Sequence, residues 1–224
     1  MVTVVVARYN EGLQWTLEYP FNQFNYIVYN KGGNEDFVRT RVKQVVRLPN
    51  VGRCDHTYMH HIVHNYNKMD GILVFLPGSV DMPYKKEKAV LILKYILAKK
   101  RALMVGNAKG NMRRTYGDFT LDEWRCTHAA NAAANPETAL TLSAIRPFGR
   151  WYDAHFGTAV ADFLALHGIL SVSARDVTQH PVIRYASLLK ELGVSSNPEV
   201  GHYMERAWAG VFSPLRFTDK TILK

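Results

Sequence analysis

Three short runs of apolar and β-branched residues, "VTVVVA" at 2–7, "YIVY" at 26–29 and "ILVFL" at 72–76, constrain this chain most. None alternates with polar residues, as a strand wetted on one face would. Unbroken runs of this length mark strands covered on both faces, the situation of a parallel sheet between helices. The intervening segments 13–19 and 57–66 have helical character, so the order β-α-β-α-β predicts an α/β fold with a parallel sheet. Residues 42–48 can add a strand or a short extended link. Further on, the pattern predicts a helix over 86–100 and a Gly/Asn-rich loop, "VGNAKGNMRRTYGDF". An Ala-rich helix over 127–141 is expected next, interrupted by Pro136. "HGILSVSARDV" reads as a strand entering a turn, and "VIRYASLLKEL" and "VGHYMERAWAGVF" read as helices. No repeat or low-complexity linker divides the chain. A single domain over 1–224 is expected, which could equally be the N-terminal part of a longer protein.

The charge balance, 28 Lys and Arg against 19 Asp and Glu, favours an anionic partner without choosing one. Lys85, Lys86 and Lys88, and Arg113 with Arg114, read as a solvated face rather than a binding patch. The most apolar stretch, "AVLILKYILA", is broken by Lys94 and followed by Lys99, Lys100 and Arg101. It suits a core-packed helix with a basic C-terminal end rather than a membrane span. No signal peptide is visible ahead of the first strand. Cys54 and Cys126 form neither a metal spacing nor a disulfide framework, so a reducing compartment, by default the cytoplasm, is expected.

In an open parallel sheet, ligands bind beyond the carboxyl ends of the strands. That rule gathers Arg8-Tyr9-Asn10-Glu11, Asn30-Lys31-Gly32-Gly33 and Ser79-Val80-Asp81 at one rim. Together they offer an aromatic ring, amides, cations and a carboxylate, a set suited to a nucleotide with a divalent metal. Neither G-x-G-x-x-G nor G-x-x-x-x-G-K-[ST] is present, so a dinucleotide fold and a P-loop are unsupported. Asp81 could ligate that metal or cap the next helix. Asp55 reads as an N-cap, which puts Arg53 and His56 at a helix start, where phosphate is favoured. His56, His60 and His64 recur every fourth residue, but Met59, Ile62, Val63 and Tyr66 define an apolar helix face beside them, so a zinc site is disfavoured. In "GHYMERAW", His202, Glu205 and Arg206 are helical neighbours, and Glu205 with Arg206 could simply be an ion pair.

"VTVVVARYNE", "NYIVYNKGG" and "LPNVGRCDHTYMHHIVHNYNKMDGILVFLPGSVD" resemble, in order, the opening strands and acidic metal motif of nucleotide-sugar glycosyltransferases of the GT-A fold. "PNVGRCDHTY", "RWYDAHFG" and "GHYMERAWAGVF" are similar to a little-characterised family of fungi, bacteria and large DNA viruses. Among these is a glycosyltransferase domain of chlorella viruses, part of a multidomain protein that decorates the capsid. The resemblance covers most of 2–212. It implies a GT-A-type, Rossmann-like, mostly parallel sheet flanked by helices. It also implies metal-assisted sugar transfer with inversion, from a nucleotide-diphosphate donor, by analogy a UDP-sugar, to a glycan or glycoprotein hydroxyl. The nucleotide would lie on Ala7, Arg8, Tyr9, Glu11, Asn30, Lys31, Arg53, His56, Ser79 and Val80. Asp81 and His202 would hold Mn²⁺ or Mg²⁺, and Glu205, with Glu199 second, would be the base. Trp151, Tyr152, Asp153 and His155 would line the acceptor pocket. The family's Asp-x-Asp is here Ser79-Val80-Asp81, which leaves one side-chain carboxylate. A sugar-nucleotidyltransferase is the enzymatic alternative, although its Gly-rich basic loop after the first strand is missing. A basic nucleic-acid-binding module is the non-enzymatic one; the resemblance implies no nucleic-acid partner and no membrane span.

Overall fold

The computed structural model describes residues 1–123 and 139–223. Its strands are β1 (Val2–Arg8), β2 (Tyr26–Asn30), β3 (Val42–Arg47), β4 (Ile72–Pro77), β5 (Ala102–Gly106), β6 (Ala108–Lys109), β7 (Phe163–Leu164), β8 (Leu170–Ser173) and β9 (Thr218–Ile222). The central sheet runs β3-β2-β1-β4-β8, parallel except for β8. The chain is therefore α/β, with a mixed, mostly parallel sheet flanked by helices.

β1 sits in the middle of this sheet, its Val4 between Tyr26 and Val74 and its Val6 between Val28 and Leu76. The pleat sends Val4, Val6, Val28, Val74 and Leu76 into one core and Val5, Ala7, Leu73 and Phe75 into the other. Helix α2 (Pro83–Lys99) fills the first core with Ile92, Leu93 and Ile96, joined by Trp15 and Phe21. Three helices, α1 (Arg53–Asn65), α6 (Val182–Leu192) and α7 (Glu199–Val211), cover the second with Tyr58, Met59, Leu188, Tyr203 and Trp208. Val5, Val6, Phe75 and Leu76 are fully buried. Each contributes about 1.5–3 kcal/mol by leaving water.

Several elements differ from the sequence expectation. Segment 13–19 forms no α-helix; two short 3-10 turns, Gln14–Leu17 and Phe21–Gln23, flank Pro20, which cannot continue a helical ladder. The first long helix begins at Arg53 rather than 57, and α2 begins at Pro83, where a missing N–H costs nothing. The loop expected over 105–119 contains the end of β5, then β6 and a short helix α3 (Met112–Thr115). "RWYDAHFG" belongs to a helix, α4 (Phe148–Phe156), and "SARDV" enters another, α5 (Ala174–Thr178). β5 pairs in parallel with β9, and Ser173 N donates to Thr218 Oγ1 at 2.8 Å, tying that pair to β8. Most of the expected Ala-rich helix, and Cys126, lie outside the described residues.

The last residue of β1 organises the rim. Arg8 is completely buried, neither solvated nor turned toward a phosphate as expected. Its Nε donates to Glu11 O at 2.7 Å, and one terminal nitrogen donates to Asn30 Oδ1 at 2.7 Å and Asn34 O at 2.5 Å. The guanidinium lies 4.2 Å from the centroid of the Phe37 ring. Arg8→Met would leave those acceptors without their donor, so a loss of about 2–4 kcal/mol is expected. Urea denaturation checks it: an unchanged midpoint would contradict this role.

Candidate active site

The turns after β1, β2 and β4 are locked together. Glu11 accepts from Tyr9 N at 2.7 Å, and its carboxylate lies against Gly78. Trp15 Nε1 donates to Gly78 O at 2.8 Å, and Gly78 N donates to Ala7 O at 2.7 Å. Gly32 approaches β1's turn so closely that a Cβ there would sit 1.7 Å from Tyr9 O. Ala7 and Val80 are buried and Tyr9 is half-buried. Asn30 does not offer its amide to a base: it is buried, Oδ1 accepts from Arg8 and from Gly32 N at 3.3 Å, and Nδ2 donates to Asn34 O at 3.3 Å. Its place in the rim is structural.

Asp81 is exposed on the turn ahead of α2. The N-cap of α2 is Met82, with no side-chain capping bond, so Asp81 does not cap the helix. Lys85 Nζ donates to Ser79 Oγ at 2.7 Å. Burial lowers the Lys85 pKa, and Cys54, Glu11, Arg53 and Glu205 are the charged or titratable groups that act on it. Lys88 departs further from the solvated face expected of it. It is fully buried, donates to Leu166 O at 2.9 Å and Asn107 Oδ1 at 3.3 Å, and has its pKa lowered to about 8 by burial. Among the described residues Lys86 alone of the three forms an ion pair, with Glu18 at 2.5 Å.

The facing wall comes from the start of α1 and from α7. Gly52, at φ 58°, caps α1 and donates its N–H to Ser195 O at 2.7 Å. Arg53 is left-handed too, at φ 52°, a conformation that costs a non-glycine residue about 1–2 kcal/mol. Lys31 Nζ holds this entry by donating to Val51 O and Arg53 O. Burial lowers Lys31 to about 8. It is thus a buttress of the α1 entry, with its ammonium already committed to two carbonyls.

Because α1 starts early, Asp55 is its third residue and not its cap. Its carboxyl is buried, Oδ1 has no hydrogen-bond partner among the described residues, and burial, followed by Glu205, raises its pKa to about 7. Arg53 approaches both ring nitrogens of His202, at 3.0 and 2.9 Å, and His202 Nε2 also lies 3.2 Å from Asn197 Oδ1. Burial, then Arg53, lowers His202 to about 3. An imidazole engaged by a guanidinium in this way does not fit a metal ligand. His56 is buried, with Nδ1 lacking a partner among the described residues, and burial first lowers it to about 4.

Glu205 is half-buried on α7, and among the described residues it makes no hydrogen bond or ion pair. Arg206 instead donates to His202 O at 2.8 Å and lies 3.6 Å from the centroid of the Phe119 ring. The alternative ion pair between them is not formed. Glu205 acts electrostatically on Asp55, Lys85, Lys88 and His167, which places it across the rim from β4's turn.

Other expected site residues lie elsewhere. Glu199 is fully buried and accepts from Leu121 N and Ser143 N at 2.9 Å each and from Tyr203 OH at 2.8 Å, and it pairs with Arg146 at 2.9 Å. A carboxylate so fully engaged is a clamp and cannot serve as the second base. Trp151 and Tyr152 are core residues with no exposed face for a sugar. Trp151 Nε1 donates to Glu191 at 2.8 Å, where His155 also pairs at 2.7 Å, and Tyr152 OH donates to Ala159 O at 2.8 Å. Asp153 is exposed but held by Arg113 in a two-pronged ion pair. Among the described residues no group of three or more His, Cys, Asp or Glu side chains could hold a metal on its own. No helix among them is long and apolar enough to cross a membrane.

Comparison with protein-family models, curated proteins and solved structures found no match to this chain. The site therefore rests on its own chemistry. Sequence reading missed Asp55 as a buried carboxyl, Lys88 as an interior cation and Lys85 as a half-buried one. The signal available for the lysines was their spacing. On α2 they are three apart, on the side that also carries the buried Ala89 and Ile92.

Asp55 makes a testable pH signature. Its pKa is raised from 3.8 to about 7, so the folded state keeps a proton that the unfolded chain releases, and this group lowers stability as pH rises through that window. The depressed histidines act oppositely, weakening the fold as pH falls below 6.5 toward about 4 for His56. They cancel when Asp55→Asn is compared with wild type at each pH. The variant is expected to gain about 1–3 kcal/mol relative to wild type between about pH 4 and pH 7.5. Denaturant titrations showing a constant difference would contradict the buried, Glu205-facing carboxyl.

Proposed function

We propose that the chain is a GT-A-type glycosyltransferase that moves a sugar from a nucleotide-diphosphate donor, best read as a UDP-sugar, to a hydroxyl of a glycan or glycoprotein. One observation carries this reading. Groups with unspent hydrogen-bonding or charge capacity (Asp81, Lys85, Asp55 and Glu205) belong to elements that meet at the carboxyl-end rim of a mostly parallel sheet. Ligand chemistry in such sheets is found at that rim.

The donor nucleotide would lie along the β1 and β4 turns, with Tyr9 flanking the base and the diphosphate near Ser79 and Lys85. Asp81 fits one ligand of Mn²⁺ or Mg²⁺, whose remaining ligands would be phosphate oxygens and water; His202 does not. Such an ion supplies positive charge to the departing diphosphate. Glu205 would remove the proton from the acceptor hydroxyl as that oxygen attacks the anomeric carbon from the side opposite the diphosphate, with inversion. Asp55 would be partly protonated near neutral pH, because burial first, and then the charge of Glu205, disfavours its ionised form. Burial of Arg8 and Lys88, and commitment of the Lys31 ammonium to two backbone carbonyls, also remove three cations from any nucleic-acid-binding face.

UDP at about 100 times its dissociation constant should add about 2.7 kcal/mol of stability, and Mn²⁺ should tighten it. Thermal shift and calorimetry test this, and no binding of any nucleotide or nucleotide sugar, with or without metal, would remove the reading. In the same assays Asp81→Asn should abolish the Mn²⁺ enhancement while the fold persists. Glu205→Gln should bind donor normally and lose transfer by about 10²–10⁴-fold. Normal transfer by this variant would show that the base lies elsewhere.

A further inference from the structure

Three lysines near the rim are buried or half-buried, and their hydrogen bonding separates them. Lys31 gives its ammonium to two backbone carbonyls, and Lys88 gives its own to a carbonyl and an amide oxygen. Lys85 makes one hydrogen bond among the described residues, to the neutral hydroxyl of Ser79, and no ion pair there. An ammonium has three donors and no acceptor, so among the described residues two N–H groups of Lys85 have no protein oxygen. A carboxylate at position 79 would pair with this charge directly; a serine leaves it without an ion pair among the described residues. Its surroundings come from every side of the rim: Glu11 from the β1 turn, Cys54 and Arg53 from the start of α1, and Glu205 from α7. A half-buried cation with spare donors and a neutral seat has the chemistry of an anion site.

We propose that Lys85 is the diphosphate-binding group of this chain, its ammonium seated on Ser79 and donating to a phosphate oxygen, so that a nucleoside diphosphate binds without any divalent cation. This rests on reading the rim as a donor site. Asp81 then governs only the additional affinity that a metal brings, and Lys85 governs the metal-independent part. The two contributions are separable by substitution.

Calorimetric titrations in EDTA test it, using wild type, Lys85→Gln and Lys85→Arg with UDP, GDP, ADP, CDP, uridine and inorganic pyrophosphate. Wild type is expected to bind UDP and pyrophosphate in EDTA. Lys85→Gln should weaken both by about 10–100-fold, the worth of a charge-assisted hydrogen bond, and leave uridine unchanged. Lys85→Arg should retain most of the affinity, and melting temperatures of the ligand-free variants verify folding. Unchanged UDP affinity in Lys85→Gln, or UDP binding by wild type only with Mn²⁺, would overturn the role of Lys85 while the donor-site reading stands. Pyrophosphate binding that needs Lys85, with no nucleoside diphosphate bound, would support the anion site and defeat the donor reading. Failure of every ligand would overturn both.

Discussion

A guanidinium buried at the tip of the central strand is the constraint on which the rim depends. Arg8 has no exposed surface, so its donors must be met inside the protein or the fold is penalised by several kcal/mol, about the cost of leaving a buried charge unmatched. They are met by Glu11 O, by Asn34 O and by Asn30, the residue paired with Arg8 across β1 and β2. Both turns must therefore fold back over the strand ends. Gly32 can come close enough because it has no side chain to hit Tyr9 O. Tyr9 and Ser79 are then left half-buried and Asp81 exposed at the rim.

Polar groups near this rim divide by whether their bonding capacity is spent. Arg8, Asn30, Lys31 and Lys88 are satisfied by carbonyl and amide oxygens, and they hold backbone in place. Among the described residues Asp55 Oδ1 and Glu205 have no hydrogen-bond partner and Lys85 has one, Ser79, and Glu205 acts electrostatically on both Asp55 and Lys85. Spare bonding capacity at the carboxyl-end edge of a parallel sheet is where ligands of such sheets are bound, and the proposed donor site rests on it.

The strands β1, β2 and β4 were legible because burial on two faces removes the polar alternation and leaves an apolar run. β5 carries a similar run, "ALMVG", but it directly follows "KKR" and flows into a Gly/Asn-rich segment that hid it. β9, "TDKTI", could not be read at all, since only its pairing with β5 makes it a strand. At the site, residue types were read more reliably than burial. Arg8 and Asn30 stand where a phosphate and a base were expected, yet both turn into the protein. Trp151 and Tyr152 suit a sugar in chemistry but lie on the buried side of α4. Asp55 looked like a cap because the two left-handed residues that start α1 two positions earlier leave little trace in sequence beyond Gly52.

Hydrogen–deuterium exchange with and without UDP is the most direct test of the account, because it reports where a ligand sits without presuming the reaction. Amide exchange slows where ligand contacts or ordering suppress local opening. Protection is expected at 9–12, 31–33, 79–86 and the first turns of α1, together on one rim. Protection confined to the surface groove around Lys109, Asp162 and Lys220, or protection nowhere, would contradict a donor site at the carboxyl ends of β1, β2 and β4.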